Sequence, residues 1–119
     1  MNSESIEQQK LHQWCKNKRL LSFSVPNGGT RNKAEAVNLR KEGVVAGVSD
    51  YIIMLPKVIL FIELKRQKKL LKNGTYSISH TKLSQEQMKF LESVDKFDYA
   101  VSTVAYGFDE AKTFIEKYL

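Results

Sequence analysis

Hydrophobic positions repeat at helical spacing near the start of the chain. Leu11, Trp14 and Cys15 form one stripe, and the capping-box pattern Ser5-x-x-Gln8 predicts that their helix opens at Ser5 and runs to about residue 18. Glu7 precedes the three stripe residues at helical spacing, so it lies on the same face. We therefore predict a carboxylate on the inward face of the first helix, where a charge is costly.

Two shorter segments follow. Residues 20–25 are predicted to form a strand that stops at a run of turn-forming residues, 26–29. Asn32, with Glu35 three residues later, is expected to cap a second helix that continues to about residue 42. Gly43 is expected to end that helix in a left-handed conformation.

The middle of the chain is its most apolar part. Residues 49–55 and 58–65 are rich in Ile, Val, Leu, Phe and Tyr, and they predict a hairpin about Pro56-Lys57. In the second of these strands Glu63 and Lys65 share a face with apolar residues, and the opposite face is apolar throughout. Two largely apolar faces are typical of a strand at the centre of a sheet.

A basic segment separates the hairpin from the last elements. Residues 66–81 have no apolar period and contain an Asn73-Gly74 turn, so an exposed, mobile loop is expected.

A second capping box, Ser84 with Gln87, predicts a helix with an inward stripe at Met88, Leu91 and Val94. Residues 99–104 are predicted to form a strand. The last helix is expected to be capped by Asp109 and to reach residue 119.

Composition narrows the class of protein. At 119 residues and 42% hydrophobic content, the chain is predicted to be one domain over residues 1–119. No apolar run approaches the roughly 20 residues that span a bilayer, and no leader pattern is evident, so we expect no membrane association and a cytoplasmic location. Cys15 is the single cysteine, so we expect it in the core and not in a disulfide.

The net charge of +6 and pI near 9.4 favour a polyanionic partner, with nucleic acid the leading candidate. A solvated basic surface would give the same totals, so charge alone leaves the two interpretations open. The arrangement of the acidic and basic residues has to distinguish them.

The hairpin brings two acids together. Pairing that is symmetric about Pro56-Lys57 places Asp50 directly opposite Glu63. Facing side chains on antiparallel strands have Cβ atoms roughly 4.5 to 5.5 Å apart, which allows two carboxylates to share one divalent cation. A symmetric four-residue loop would keep the same pairing.

Lys65 follows Glu63 by two residues and projects from the same face. An ammonium there can polarise an attacking water and offset charge on a phosphate. Glu7 could supply a further oxygen ligand. Oxygen ligands favour Mg²⁺ or Mn²⁺ over Zn²⁺, which more often has His or Cys.

Structural roles compete with these functional ones. Glu63 and Lys65 could form an ion pair at a strand end, and Asp50 could cap a turn. Glu7 could serve only the helix dipole. Gln87 is as well explained by capping as by a place in the site.

Four ordered motifs resemble a known family. Asn27-Gly28-Gly29-x-Arg31, Gly43-Val44-x-x-Gly47-x-x-Asp50, Glu63-Leu64-Lys65 and Leu83-Ser84-x-x-Gln87 are similar to motifs of the VRR-Nuc (virus-type replication-repair nuclease) domain of the PD-(D/E)xK superfamily. The resemblance covers about residues 5 to 105. Ser49 departs from it, because the family usually has proline before the aspartate, and serine fixes the backbone less firmly.

The resemblance implies an α/β fold, a central mixed β-sheet flanked by helices of the restriction-endonuclease type. It implies Asp50, Glu63 and the Leu64 carbonyl as metal ligands, with Glu7 as the helix-one acid. Lys65 and Gln87 would complete the catalytic residues. Short stand-alone members, from phages and bacteria, imply a homodimer that cuts branched DNA, in the host cytoplasm for a phage-encoded chain.

The function predicted from the sequence is a Mg²⁺- or Mn²⁺-dependent DNA-repair endonuclease that leaves 5′-phosphate and 3′-hydroxyl ends on branched double-stranded DNA. A Holliday-junction resolvase is the first choice, and no small-molecule cofactor is expected. A nicking, flap or restriction-like nuclease and a catalytically silent DNA-binding module remain alternatives. The expected DNA contacts, through shape and phosphates, are Asn27, Arg31, Lys33, Arg66, Lys68 and Lys69.

Overall fold

The computed structural model describes residues 3–26, 32–76 and 82–119. Four helices and four strands lie in these ranges: α1 Ser3–Asn17, β1 Leu21–Ser24, α2 Lys33–Lys41, β2 Tyr51–Met54, β3 Ile59–Lys65, α3 Gln85–Val94, β4 Ala100–Tyr106 and α4 Phe108–Glu116. The predicted turn over residues 27–29, the predicted DNA contacts Asn27 and Arg31, and the end of the predicted basic loop lie outside the described residues.

The strands form one mixed sheet in the order β1-β2-β3-β4. The β1–β2 and β2–β3 pairs are antiparallel, and β4 runs parallel to β3. Tyr51 pairs with Ile62 and Met54 with Ile59, and the Leu55 amide donates to the Val58 carbonyl at 2.9 Å across the turn. The predicted hairpin and its register are confirmed, and β3 is an interior strand as expected.

The main core lies between α1 and α4 and one face of the sheet. The buried side chains there include Leu11, Cys15, Ile62, Leu64 and Ile115, with Trp14 packed at the margin. The inward stripe of the first helix is confirmed. Deep burial of aliphatic side chains on this face is the main force that holds the two helices to the sheet.

Helix α3 covers the other face. Phe90 packs edge-to-face on Phe61 of β3, with ring centroids 5.8 Å apart, and Val94 is buried. The prediction that Met88 points inward is wrong, since its side chain is 45% exposed. Phe90 lies on the inward side instead, because a helix that follows its 3.6-residue period brings positions 87, 90 or 91, and 94 to one face.

The ends of α2 and α3 follow the predicted signals. The Asn32 side chain accepts from the Glu35 amide at 2.7 Å, and Gly43, with φ of +108°, terminates α2. The Gly43 and Val44 amides donate to the last carbonyls of that helix, which is the Schellman pattern. In α3 both hydrogen bonds of the Ser84 capping box form.

Two predicted helix starts are wrong. Helix α1 begins at Ser3, so Ser5 lies inside its first turn and is not the N-cap. Helix α4 begins at Phe108 with Gly107 as N-cap, and Asp109 lies in its first turn without capping it. Strand β4 runs two residues beyond its predicted end, because parallel pairing with β3 continues to Tyr106.

The mixed sheet with helices on its two faces confirms the predicted α/β class. Among the helices in the described residues, none is both long and apolar enough to cross a membrane.

Candidate active site

Asp50 is held at the entrance to β2 by its backbone and its side chain. The Val25 amide, just after β1, donates to the Asp50 carbonyl at 2.8 Å. The Leu64 amide in β3 donates to Asp50 Oδ2 at 2.9 Å. Continuing the β2–β3 register by one residue places Asp50 opposite Glu63. The two carboxylates thus meet at the end of the sheet where β3 leaves it.

Glu63 is a buried acid next to the Asp50 carboxylate. Its residue is 1% exposed, and neither carboxylate oxygen has a hydrogen-bond partner among the described residues. Burial raises the pKa of Glu63 to about 8, the neighbouring Asp50 carboxylate adds to the rise, and Lys65 opposes it. A carboxylate in this state is stabilised by a bound cation.

Lys65 projects from the face of β3 that carries Glu63, as the alternation of the strand requires. Its ammonium makes a long hydrogen bond of 3.5 Å to Gln87 Oε1 on α3. The same oxygen accepts from the Ser84 amide at 2.9 Å. Gln87 therefore caps its own helix, as predicted, and the same side-chain oxygen contacts Lys65.

Gly47 sets the distance between the loop before Asp50 and the start of α3. It has φ of +86°, and a Cβ there would overlap the backbone of Glu86 and crowd the Gln87 amide. Only glycine fits such an approach without displacement. The packing brings Gln87 to the side of the sheet where Lys65 can reach it.

The Leu64 carbonyl faces the same side as Asp50. Within a strand, the N–H and C=O of one residue point to the same neighbour, and the Leu64 N–H is directed at Asp50. The Lys65 carbonyl points the other way, to the Gly107 amide at 2.8 Å. A main-chain oxygen is thus available beside the two carboxylates.

Glu7 is buried as predicted, with 6% exposure, but it lies at the junction of α1 and α4. Its Oε1 accepts from the Phe108 amide at 2.8 Å and from Gln67 Nε2 at 3.3 Å. Its Oε2 accepts from Lys10 Nζ at 3.2 Å. Glu7 thus belongs to the helix layer on the Leu64 face, whereas Glu63 and Lys65 project from the other face.

The basic residues after β3 are mostly exposed. Arg66 is half-buried, while Lys68 and Lys69 are exposed, as is Lys33 at the start of α2. A single bridge between Leu70 and Tyr76 closes a turn in this segment. The described part of the predicted loop is thus exposed as expected.

Two residues near this site, Tyr106 and Gln67, are not predicted from the sequence. Tyr106 pairs with Lys65 in parallel register, and adjacent paired residues share a face, so its ring adjoins the site. Lys68 Nζ lies over that ring, 4.6 Å from its centroid, and Gln67 bonds Glu7. The parallel β3–β4 pairing, which the sequence does not specify, is the missing information.

Three neighbouring groups are the ones that could hold a hard divalent cation. Asp50 and Glu63 contribute carboxylate oxygens and Leu64 a main-chain oxygen, and neither Glu63 oxygen has a hydrogen-bond partner among the described residues. Within the three described ranges no three His, Cys, Asp or Glu side chains cluster as a metal site, so an ion here would need main-chain oxygen or water in addition to the two carboxylates. Such sites complete the coordination of Mg²⁺ with waters.

The architecture is an α/β fold, a mixed sheet with helices on both faces and the carboxylate pair at one end of its two interior strands. A solved structure of a VRR_NUC domain protein superposes on the chain with a TM-score of 0.74, covering 100% of this chain and 89% of that one at 21% identity. The chain therefore has the predicted VRR-Nuc fold. No family model matches the sequence, and no curated protein matches it either.

Proposed function

We propose that this chain is a metal-dependent, structure-selective DNA endonuclease. The observation that carries the proposal is the buried carboxylate of Glu63, beside Asp50 and two residues before Lys65, whose oxygens have no hydrogen-bond partner in the described ranges. A fold similar to that of a VRR_NUC domain protein supports a nuclease. The exposed lysines after β3 support a polyanionic substrate.

Asp50, Glu63 and the Leu64 carbonyl would hold Mg²⁺ or Mn²⁺. When bound, such an ion would supply neutralisation of phosphate charge and a more acidic water. Asp50 keeps its orientation through the Leu64 amide, so its second oxygen can be directed at the ion. A bound ion would give the buried Glu63 carboxylate a cationic partner, and this would lower the pKa of Glu63.

Lys65 has a different task. Its ammonium is placed on the Glu63 face and oriented by Gln87 Oε1. From there it can donate to the attacking water or to a phosphate oxygen on which negative charge develops. Strand β3 fixes the backbone of Lys65, and the capped first turn of α3 holds its ammonium through Gln87. The side chain therefore needs little reorganisation during the reaction.

The expected products are 5′-phosphate and 3′-hydroxyl ends, and we propose a four-way DNA junction as the preferred substrate. Resolution needs two symmetric nicks, and one chain offers one site. A two-fold homodimer would provide the pair.

The decisive experiment compares four-way, flap and linear DNA in Mg²⁺ and in Mn²⁺. Asp50→Ala and Glu63→Ala should abolish cleavage and leave junction binding largely intact. Lys65→Ala should bind metal and cut on the order of 100-fold more slowly. The exposed Asp98→Ala is the control and should cut normally. Cleavage by Asp50→Ala or Glu63→Ala at the wild-type rate would refute the proposed site.

Substrate choice and assembly are tested separately. Light scattering at micromolar concentration should give a dimer, and a mixed dimer with one Asp50→Ala subunit should nick one strand of a junction without resolving it. A monomer that prefers flaps would replace the resolvase proposal with a nicking nuclease. Junction binding without any cleavage would favour the silent DNA-binding module.

DNA contact by the basic segment is tested by salt dependence. Replacing Arg66, Lys68 and Lys69 together by Ala should weaken binding to every DNA shape and reduce the slope of log K against log salt by nearly one unit per lost phosphate contact. Three lysines toward the opposite end of the sheet make the matched control: Lys18, Lys57 and Lys96. An unchanged slope in the first variant would exclude phosphate contacts by these residues.

A further inference from the structure

Glu7 connects three separate parts of the chain through one carboxylate. It extends from α1, accepts the Phe108 amide in the first turn of α4 at 2.8 Å, and accepts Gln67 Nε2 from the segment after β3 at 3.3 Å. Burial opposes the charge on Glu7, but the Phe108, Lys10 and Gln67 hydrogen bonds outweigh it and lower its pKa. The carboxylate is thus held as an anion by contacts within the protein.

The N-terminus of α4 explains why an external acid is needed. Its N-cap is Gly107, with φ of +95° and no side chain to cap the helix. A Cβ on Gly107 would meet the Gln67 side chain at 2.5 Å and Glu7 Oε1 at 3.0 Å. Glu7 therefore supplies the cap that Gly107 lacks, and its negative charge lies favourably at the positive end of the helix dipole.

The same junction holds the end of β3. The Gly107 amide donates to the Lys65 carbonyl at 2.8 Å, the next amide, of Phe108, is bound by Glu7, and Glu7 also binds Gln67, two residues after Lys65. These bonds close a ring of contacts around the exit of β3. We refer to Glu7, Lys65, Gln67, Gly107 and Phe108 as the exit clamp.

We propose that Glu7 is a positioning residue that fixes the backbone of Lys65, and that it is not a ligand of the metal. The proposal rests on the proposed function, in which Lys65 must meet the reacting phosphate from a defined position. Three donors already occupy the Glu7 carboxylate, and it lies on the opposite side of the sheet from Glu63. The exit clamp holds the Lys65 main chain in place, and this in turn fixes where the Lys65 side chain begins.

The test uses four variants of the full chain: Glu7→Ala, Glu7→Gln, Gln67→Ala and Glu110→Ala. Gln keeps an oxygen that can accept from the Phe108 amide, so it should rescue the clamp without the charge. Glu110 is the matched control, because it is an exposed acid at the same helix end whose Oε1 accepts the Tyr106 amide at 3.1 Å and does not touch the clamp.

Three measurements separate the roles: the Mn²⁺ dissociation constant by titration calorimetry, amide exchange at Gly107 and Phe108, and the single-turnover cleavage rate at saturating metal well below the melting temperature. In Glu7→Ala we expect an unchanged Mn²⁺ dissociation constant, faster exchange at the two amides, and a rate lowered on the order of 10- to 100-fold by misplacement of Lys65. Glu7→Gln should restore exchange and rate to near wild type. Gln67→Ala should lower the rate while the Phe108 amide stays protected.

A Mn²⁺ dissociation constant raised about 10-fold or more in both Glu7 variants would make Glu7 part of the metal site and overturn the proposal. A lowered melting temperature with a wild-type rate in Glu7→Ala would reduce Glu7 to a structural cap and also overturn it. If the wild type cuts none of the DNA substrates, the proposed function fails. In that case amide exchange at Gly107 and Phe108 still tests the exit clamp. The clamp is supported if Glu7→Ala removes the protection of these amides and Glu7→Gln restores it, and it is rejected otherwise.

Discussion

Glu63→Gln is expected to stabilise the metal-free protein, and to do so more as pH rises. The pKa of Glu63 is raised by burial from 4.5 to about 8, so the folded state keeps its proton while the unfolded state has lost it. The Glu63 contribution is therefore fully present below pH 4.5 and is lost as pH rises through about 8. A shift of this size corresponds to a loss on the order of 5 kcal/mol, a large part of the 5–15 kcal/mol that typically stabilises a domain.

The assay is urea unfolding in EDTA between pH 4.5 and 9, for the wild type and Glu63→Gln. The wild-type free energy of unfolding should fall relative to the variant by roughly 1.4 kcal/mol per pH unit between pH 4.5 and about 8 and level off above that. Glu92→Gln, an exposed carboxylate on α3, controls for the loss of one negative charge. Saturating Mg²⁺ or Mn²⁺ should stabilise the wild type and largely remove the fall, because the ion favours the ionised carboxylate.

Parallel pH profiles for the wild type and Glu63→Gln in EDTA would show that Glu63 is not a buried, protonated acid in the free protein. The burial of the Glu63 carboxylate would then no longer support a cation site. A divalent ion that stabilised both proteins equally would likewise place the ion elsewhere.

Three further outcomes are expected. Gly47→Ala should push the first turn of α3 away, lowering the melting temperature and, by moving Gln87, the cleavage rate; equal activity at the wild-type level would contradict the packing argument. Ser49→Ala should be neutral or stabilising by up to about 1 kcal/mol in urea unfolding, because the buried Ser49 hydroxyl has no partner among the described residues. Tyr106→Leu should weaken DNA binding about as much as Lys68→Ala, while Tyr106→Phe keeps the cation–π contact and the affinity; equal losses in the Leu and Phe variants would point to the hydroxyl instead.

The sequence was sufficient for the hairpin and the acid pair. Symmetric pairing about the turn at Pro56-Lys57 gives the register, and the register alone places Asp50 opposite Glu63. The second capping box was also readable, because it depends on residues three apart. Local patterns thus predicted the parts of the site that lie on one continuous stretch.

Contacts between distant segments were not predictable in the same way. A side-chain cap is the usual local signal for a helix start and favours Asp109, whereas the side chain that caps α4 is Glu7, about a hundred residues away. Tyr106 reaches the site only because β4 pairs parallel to β3. Such placements depend on tertiary packing, and no periodic pattern in a single sequence reports which distant segments pack together.

Gln87 Oε1 caps α3 and also contacts the Lys65 ammonium. The orientation of Lys65 is therefore coupled to fraying of the first turn of α3. A capping interaction contributes roughly 1 kcal/mol, which corresponds to about five capped molecules for each frayed one. Helix ends open and close within about a microsecond, whereas enzyme turnover typically takes a millisecond or longer. Lys65 would therefore sample its oriented and released states many times per catalytic event, so the measured rate would report the average occupancy of the cap.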